Sequence, residues 1–105
     1  VYSSEYERTG FQGGLNWYRC RLGGRFVADH QLYAGRAIDV PASFIAGRSD
    51  WGIYQRPGDF EKMQRVACAR MAPPVLVEGA GHWVQQERPE AVTRALLAHL
   101  HQQAM

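Results

Sequence analysis

Two short apolar segments each run into a glycine-containing loop that carries one ionisable residue. VPASFIAG, residues 40 to 47, leads into RSDWG with Asp50, and PPVLVEG, residues 73 to 79, leads into AGHWV with His82. A carboxylate within reach of an imidazole accepts its Nδ1–H. That contact fixes the tautomer, leaves Nε2 free as a base, and stabilises the imidazolium formed when the base takes a proton. Taken singly, each residue has an ordinary reading. A lone aspartate after a strand is a turn or helix cap, and a lone loop histidine is a solvated side chain. The two stand 32 positions apart, about one strand–helix–strand repeat, so the pair carries more weight than either member.

The elements around them must bring the two loops together. Both apolar segments are short and bounded by Pro or Gly, the signature of strands buried on both faces of a parallel sheet. Between them lies PGDFEKMQRVACARM, residues 57 to 71, where Phe60, Met63 and Val66 or Ala67 form a helical stripe. Strand, helix, strand is a βαβ unit, with parallel pairing and a right-handed crossover. Neighbouring parallel strands lie ~4.8 Å apart, and sites in such sheets form beyond the carboxyl ends of the strands. The loops holding Asp50 and His82 are therefore expected to emerge side by side. A last helix begins at Pro89, a residue tolerated at a first helical position, with Val92, Leu96 and Leu100 along one face and Leu97 beside them. Gln85, Gln86 and Glu87 read as a short helical turn facing solvent, and His99 and His101 as surface residues of the last helix.

The first 29 residues read as helical with a break at Thr9–Gly10, and ADHQLYAGRAID as a connecting loop. Leu15, Tyr18 and Leu22 share a stripe within FQGGLNWYRCRL, residues 11 to 22. Two parallel strands leave both faces and edges in need of cover, so the organisation is expected to be the end of a larger α/β domain.

Composition narrows the partners. The chain has 105 residues, 46% hydrophobic and 21% charged, with 12 basic and 10 acidic residues and a net charge of +2. That is a globular composition, and no basic stripe points to nucleic acid. Its two cysteines, Cys20 and Cys68, make neither a disulfide framework nor a zinc motif. They read as buried or partly buried free thiols, and the expected location is cytoplasmic. No apolar run reaches the ~20 residues of a membrane span, and no cofactor or metal is expected.

At these residues a resemblance becomes specific. VPASFIAGRSDWGIYQ and GAGHWVQQERPEAV resemble C-terminal blocks of α/β-hydrolases, and of epoxide hydrolases in particular. FQGGLNWYR resembles the cap-domain block that carries one of two tyrosines binding the epoxide oxygen. The likeness runs from about Tyr2 to Leu100. It implies the C-terminal part of an α/β-hydrolase fold, with cap-domain helices in residues 1–36 and the end of the core domain in residues 37–105. It implies Tyr18 as the cap tyrosine, Asp50 as the orienting acid and His82 as the water-activating base. Trp51 and Trp83, which follow Asp50 and His82 directly, would either line the substrate cavity or pack the loops.

The implied reaction opens an apolar epoxide to a vicinal diol through an alkyl–enzyme ester on an upstream aspartate. Asp29, Asp39, Asp50 and Asp59 are the aspartates present, and none sits in a nucleophile-elbow pattern. An HGxP-type oxyanion loop and a second cap tyrosine are also missing from these residues. The chain is therefore expected to need the N-terminal half of the hydrolase as its partner and to be inactive alone. A haloalkane or haloacetate dehalogenase, a serine esterase, or a non-catalytic ligand receptor of the same fold would keep several of these features. The tyrosine in NWYR speaks against the dehalogenases.

Overall fold

The computed structural model describes residues 1–103 in two compact units, Val1–Ala34 and the part from Gly35 onward.

The first unit holds three helices: α1 (Tyr2–Thr9), α2 (Gln12–Leu22) and α3 (Val27–Gln31). The break at Thr9–Gly10 is present, and across it Tyr6 stacks on Phe11 with ring centroids 4.5 Å apart. The stretch from Ala28 to Gln31, expected in a loop, completes α3. None of the three helices buries a residue, so Leu15, Tyr18 and Leu22 form an uncovered stripe. Cys20 is likewise exposed, against expectation, whereas Cys68 in the second unit is buried.

The second unit is built on the βαβ crossover. VPASFIAG does not form one strand. It is divided between β1 (Ile38–Ala42) and β2 (Ile45–Gly47), and its partner stretch is divided into β3 (Cys68–Met71) and β4 (Val75–Val77). β1 pairs with β3 and β2 with β4, both parallel, with Ile45 opposite Val75 and Gly47 opposite Val77. The interruption coincides with Pro73 and Pro74, which have no N–H to give to a ladder. Bonds from the Ala72 N–H to the Ala42 carbonyl and from the Val75 N–H to the Phe44 carbonyl, each 2.9 Å, frame the gap.

The crossover is shorter as a helix than its sequence implied. After a 3₁₀ turn (Trp51–Tyr54), α4 (Asp59–Lys62) runs into a π turn (Met63–Ala67), and Cys68 already belongs to β3. Phe60 and Met63 are half-buried, but Val66 is exposed. Beyond β4 come α5 (Val84–Glu87) and α6 (Pro89–Gln103). The core is small: Val77, Ala80 and Val84, with Ile45, Ala91 and Val92 packed against them. The inward side of α6 consists of Ala91, Val92, Ala95 and His99, while Leu96, Leu97 and Leu100 stay exposed. His99, expected on the surface, is half-buried, and its Nδ1 has no hydrogen-bond partner among the described residues. Among the described residues, no helix is long and apolar enough to cross a membrane.

Candidate active site

β2 and β4 end in register, and the loops beyond them are stitched together by the backbone. The Arg48 N–H donates to the Val77 carbonyl at 2.9 Å, and the Ser49 N–H donates to the Ala80 carbonyl at 3.0 Å. The Arg48 guanidinium also pairs with the Glu78 carboxylate across the two loops, and the Tyr54 hydroxyl donates to the Arg48 carbonyl at 2.9 Å. Two glycines make this closeness possible. A Cβ on Gly47 would collide with the carbonyl groups of Ala80 and Gly81. Gly79 turns the chain out of β4 at φ +66, a left-handed conformation that glycine adopts without steric cost.

Asp50 stands just past this stitched region as the cap of the 3₁₀ turn. Its Oδ1 accepts the Gly52 N–H at 2.8 Å. The same oxygen lies 3.1 Å from His82 Nδ1. The cap reading of this aspartate is thus realised, and the cap bond holds the carboxylate oriented toward the imidazole. The Asp50 side chain is 13% exposed and that of His82 is 51% exposed. The acid is sheltered while the ring is open to water, a suitable division for an orienting carboxylate and a base. In the neutral tautomer that donates its Nδ1–H to Asp50, Nε2 is the nitrogen with a free lone pair.

The two tryptophans flank the imidazole. The Trp51 ring lies nearly parallel to that of His82 at 5.8 Å between centroids, and the Trp83 ring meets it edge-on at 5.2 Å. Both indoles are themselves exposed. They pack against the imidazole, and their outer faces are exposed.

Tyr18 lies on the exposed side of α2 in the first unit. On the same helix the Arg19 guanidinium reaches the side chains of Gln12 and Asn16, so the polar residues of the NWYR block bond to one another. Trp17 is exposed and packs into no core. Of the remaining aspartates, Asp29 is in α3, Asp39 in β1, and Asp59 opens α4 in an ion pair with Arg56 at 3.0 Å. None occupies a strand–turn–helix elbow.

Sequence reasoning missed one participant. Glu87 is not simply a solvent-facing residue of its turn. Its carboxylate folds back to accept the backbone N–H groups of Gly81 at 2.8 Å and Trp83 at 3.1 Å. A glutamate placed to reach back to the start of its own helix was the available signal.

No family model matches the chain. Individual proteins do. Over 101 residues it is 46% identical to epoxide hydrolase A of Mycobacterium tuberculosis, covering 94% of this chain and 29% of that protein. The structure of epoxide hydrolase A from Mycobacterium thermoresistibile superposes with a TM-score of 0.74 at 43% identity, covering 95% of this chain and 30% of that one. A mutant of potato epoxide hydrolase gives a TM-score of 0.76 at 28% identity over 96% and 32% of the two chains. The chain corresponds in sequence and fold to the C-terminal portion of these epoxide hydrolases. It has the fold of the C-terminal portion of these α/β-hydrolases and spans about 29% of the length of the first of these curated relatives. Both the parallel βαβ unit and the family resemblance expected from sequence are therefore borne out.

Proposed function

We propose that this chain supplies the acid, the base and one oxygen-binding tyrosine of an enzyme that hydrolyses apolar epoxides to vicinal diols. Residues 1–36 would be the end of its cap and residues 37–105 the end of its core. The observation that carries this reading is the 3.1 Å contact between His82 Nδ1 and Asp50 Oδ1, made by loops leaving two paired parallel strands. The similarity to proteins named epoxide hydrolase supports it.

In the first step an aspartate from the rest of the enzyme attacks one epoxide carbon. The carbon–oxygen bond breaks, and Tyr18 gives its phenolic proton to the ring oxygen, leaving a hydroxyalkyl ester and a tyrosinate. A neutral phenol suits this task because its hydrogen bond strengthens as charge builds on the oxygen. In the second step His82 Nε2 takes a proton from water, and the resulting hydroxide attacks the ester carbonyl. Asp50 stabilises the imidazolium. The tetrahedral intermediate collapses, the imidazolium returns its proton to the departing diol oxygen, and the proton left on the nucleophile's carboxyl passes through solvent to the tyrosinate. Trp51 and Trp83 would present apolar surface to the substrate beside the base.

The test is the His82→Gln variant of the full-length protein with styrene oxide. The expected result is a covalent adduct, seen as a mass increase on the nucleophile's peptide, with diol formation lowered ~10²- to 10⁴-fold. Substrate binding without adduct or diol in either variant or parent would favour a ligand receptor, and halide release from chlorinated alkanes would favour a dehalogenase.

A further inference from the structure

The backbone of His82 is held on both sides by a single carboxylate. Glu87, the last residue of α5, turns back so that Oε2 accepts the Gly81 N–H at 2.8 Å and Oε1 accepts the Trp83 N–H at 3.1 Å. Those two amides bracket His82. A carboxylate that accepts two backbone N–H groups forms charge-assisted bonds, stronger and geometrically tighter than neutral ones. On the opposite side of the loop, the Ala80 carbonyl is fixed by the Ser49 N–H at 3.0 Å. Asp50 controls the direction of the imidazole, but it can do so only if the Cα–Cβ bond of His82 starts from the right place.

We propose that Glu87 is a positioning residue for the base. It fixes the backbone of residues 81 to 83, so that His82 Nδ1 meets Asp50 while Nε2 stays aimed at the water. This inference rests on the epoxide hydrolase reading given above. Glu87 acts through His82, and His82 is used only in ester hydrolysis. Glu87 therefore affects the second half-reaction and leaves ring opening alone. A carboxylate that merely capped α5 would contribute to folding and affect both steps alike.

The experiment compares Glu87→Ala and Glu87→Gln in the full-length protein with styrene oxide, following ester formation and ester hydrolysis separately by rapid quench. Expected for Glu87→Ala is a rate of ester formation within about 2-fold of the parent, with hydrolysis slowed on the order of 10- to 100-fold, because small misplacements of a reacting group have effects of that size. The ester then accumulates during turnover. Glu87→Gln keeps one carbonyl acceptor for the two amides and falls between the parent and Glu87→Ala. It also serves if the alanine variant does not fold. In a His82→Gln background, Glu87→Ala causes no further loss of hydrolysis, since coupled residues are not additive. An equal slowing of both half-reactions, an unchanged hydrolysis rate, or full additivity with His82→Gln overturns the proposal.

A readout independent of turnover separates this claim from the reaction assignment. The Nδ1–H proton resonance of His82 is expected in the parent, lost in Asp50→Asn, and lost or broadened in Glu87→Ala. An unaltered resonance in Glu87→Ala overturns the positioning role even if no epoxide is hydrolysed. Absence of any adduct in His82→Gln overturns the reaction assignment instead.

Discussion

His82 Nδ1 and Asp50 Oδ1 are 3.1 Å apart although 32 residues separate them in sequence. The contact follows from the in-register pairing of Gly47 with Val77 and the two backbone bonds that stitch the loops beyond them. Asp50 needs no other element to aim it, because the Gly52 N–H already holds the same oxygen.

The carboxylate itself is therefore testable with little change of shape. Asp50→Asn can keep Oδ1 on the Gly52 N–H and near His82 Nδ1 but replaces a charged acceptor with a neutral amide oxygen. We expect kcat to fall by up to ~10⁴-fold, the size of effect when an orienting acid is replaced by its amide, with the protein folded. Circular dichroism and single-turnover kinetics check the two halves of that statement.

Tyr18→Phe removes only a hydroxyl from an exposed position on α2, so stability should change by less than about 0.5 kcal/mol. Ring opening should slow ~10²-fold or more, the effect of losing one donor to a developing oxyanion. Unlike His82→Gln, this variant should accumulate no ester. Rapid quench distinguishes the two.

Gly47→Ala adds one methyl group where the Ala80 and Gly81 carbonyls already stand. The obstruction is backbone and cannot rotate away. Overpacking of this kind costs about 1–3 kcal/mol, and the loops carrying Asp50 and His82 should part. Urea unfolding of the full-length protein should show the loss, together with a fall in kcat.

Expressed by itself, the 105-residue chain should show no sharp cooperative unfolding as a monomer. Its buried apolar residues among those described are Ala46, Cys68, Val77, Ala80 and Val84, small or medium side chains, while Leu96, Leu97, Leu100, Trp51 and Trp83 are exposed. Exposed apolar surface on that scale drives association. It should also turn over no epoxide. A cooperative calorimetric transition at low concentration would contradict the first expectation.

The parallel pairing was legible because short apolar runs bounded by Pro and Gly fit strands buried on both faces, and the meeting of Asp50 with His82 was legible because their loops follow such runs. The division of each strand was harder to see. VPASFIAG reads as continuous, yet the ladder also depends on its partner, and Pro73 and Pro74 in that partner cannot donate. The local pattern reads Cys68–Met71 as helix because it does not reveal pairing with β1, a non-local contact. Val92, Leu96 and Leu100 share one face in the sequence pattern, but the half-buried strip of α6 is Ala91, Val92, Ala95 and His99. Glu87 escaped because its bonds go to backbone amides, which leave almost no trace in side-chain types.

The collision awaiting any side chain at Gly47 has an implication for variation. The floor of the site is main chain against main chain and admits no tuning. The outer faces of Trp51 and Trp83 are free. A library aimed at new substrates should therefore randomise the two indole positions and leave residues 47, 80 and 81 untouched. Selection would then act on a rim that tolerates exchange, above a base that permits none.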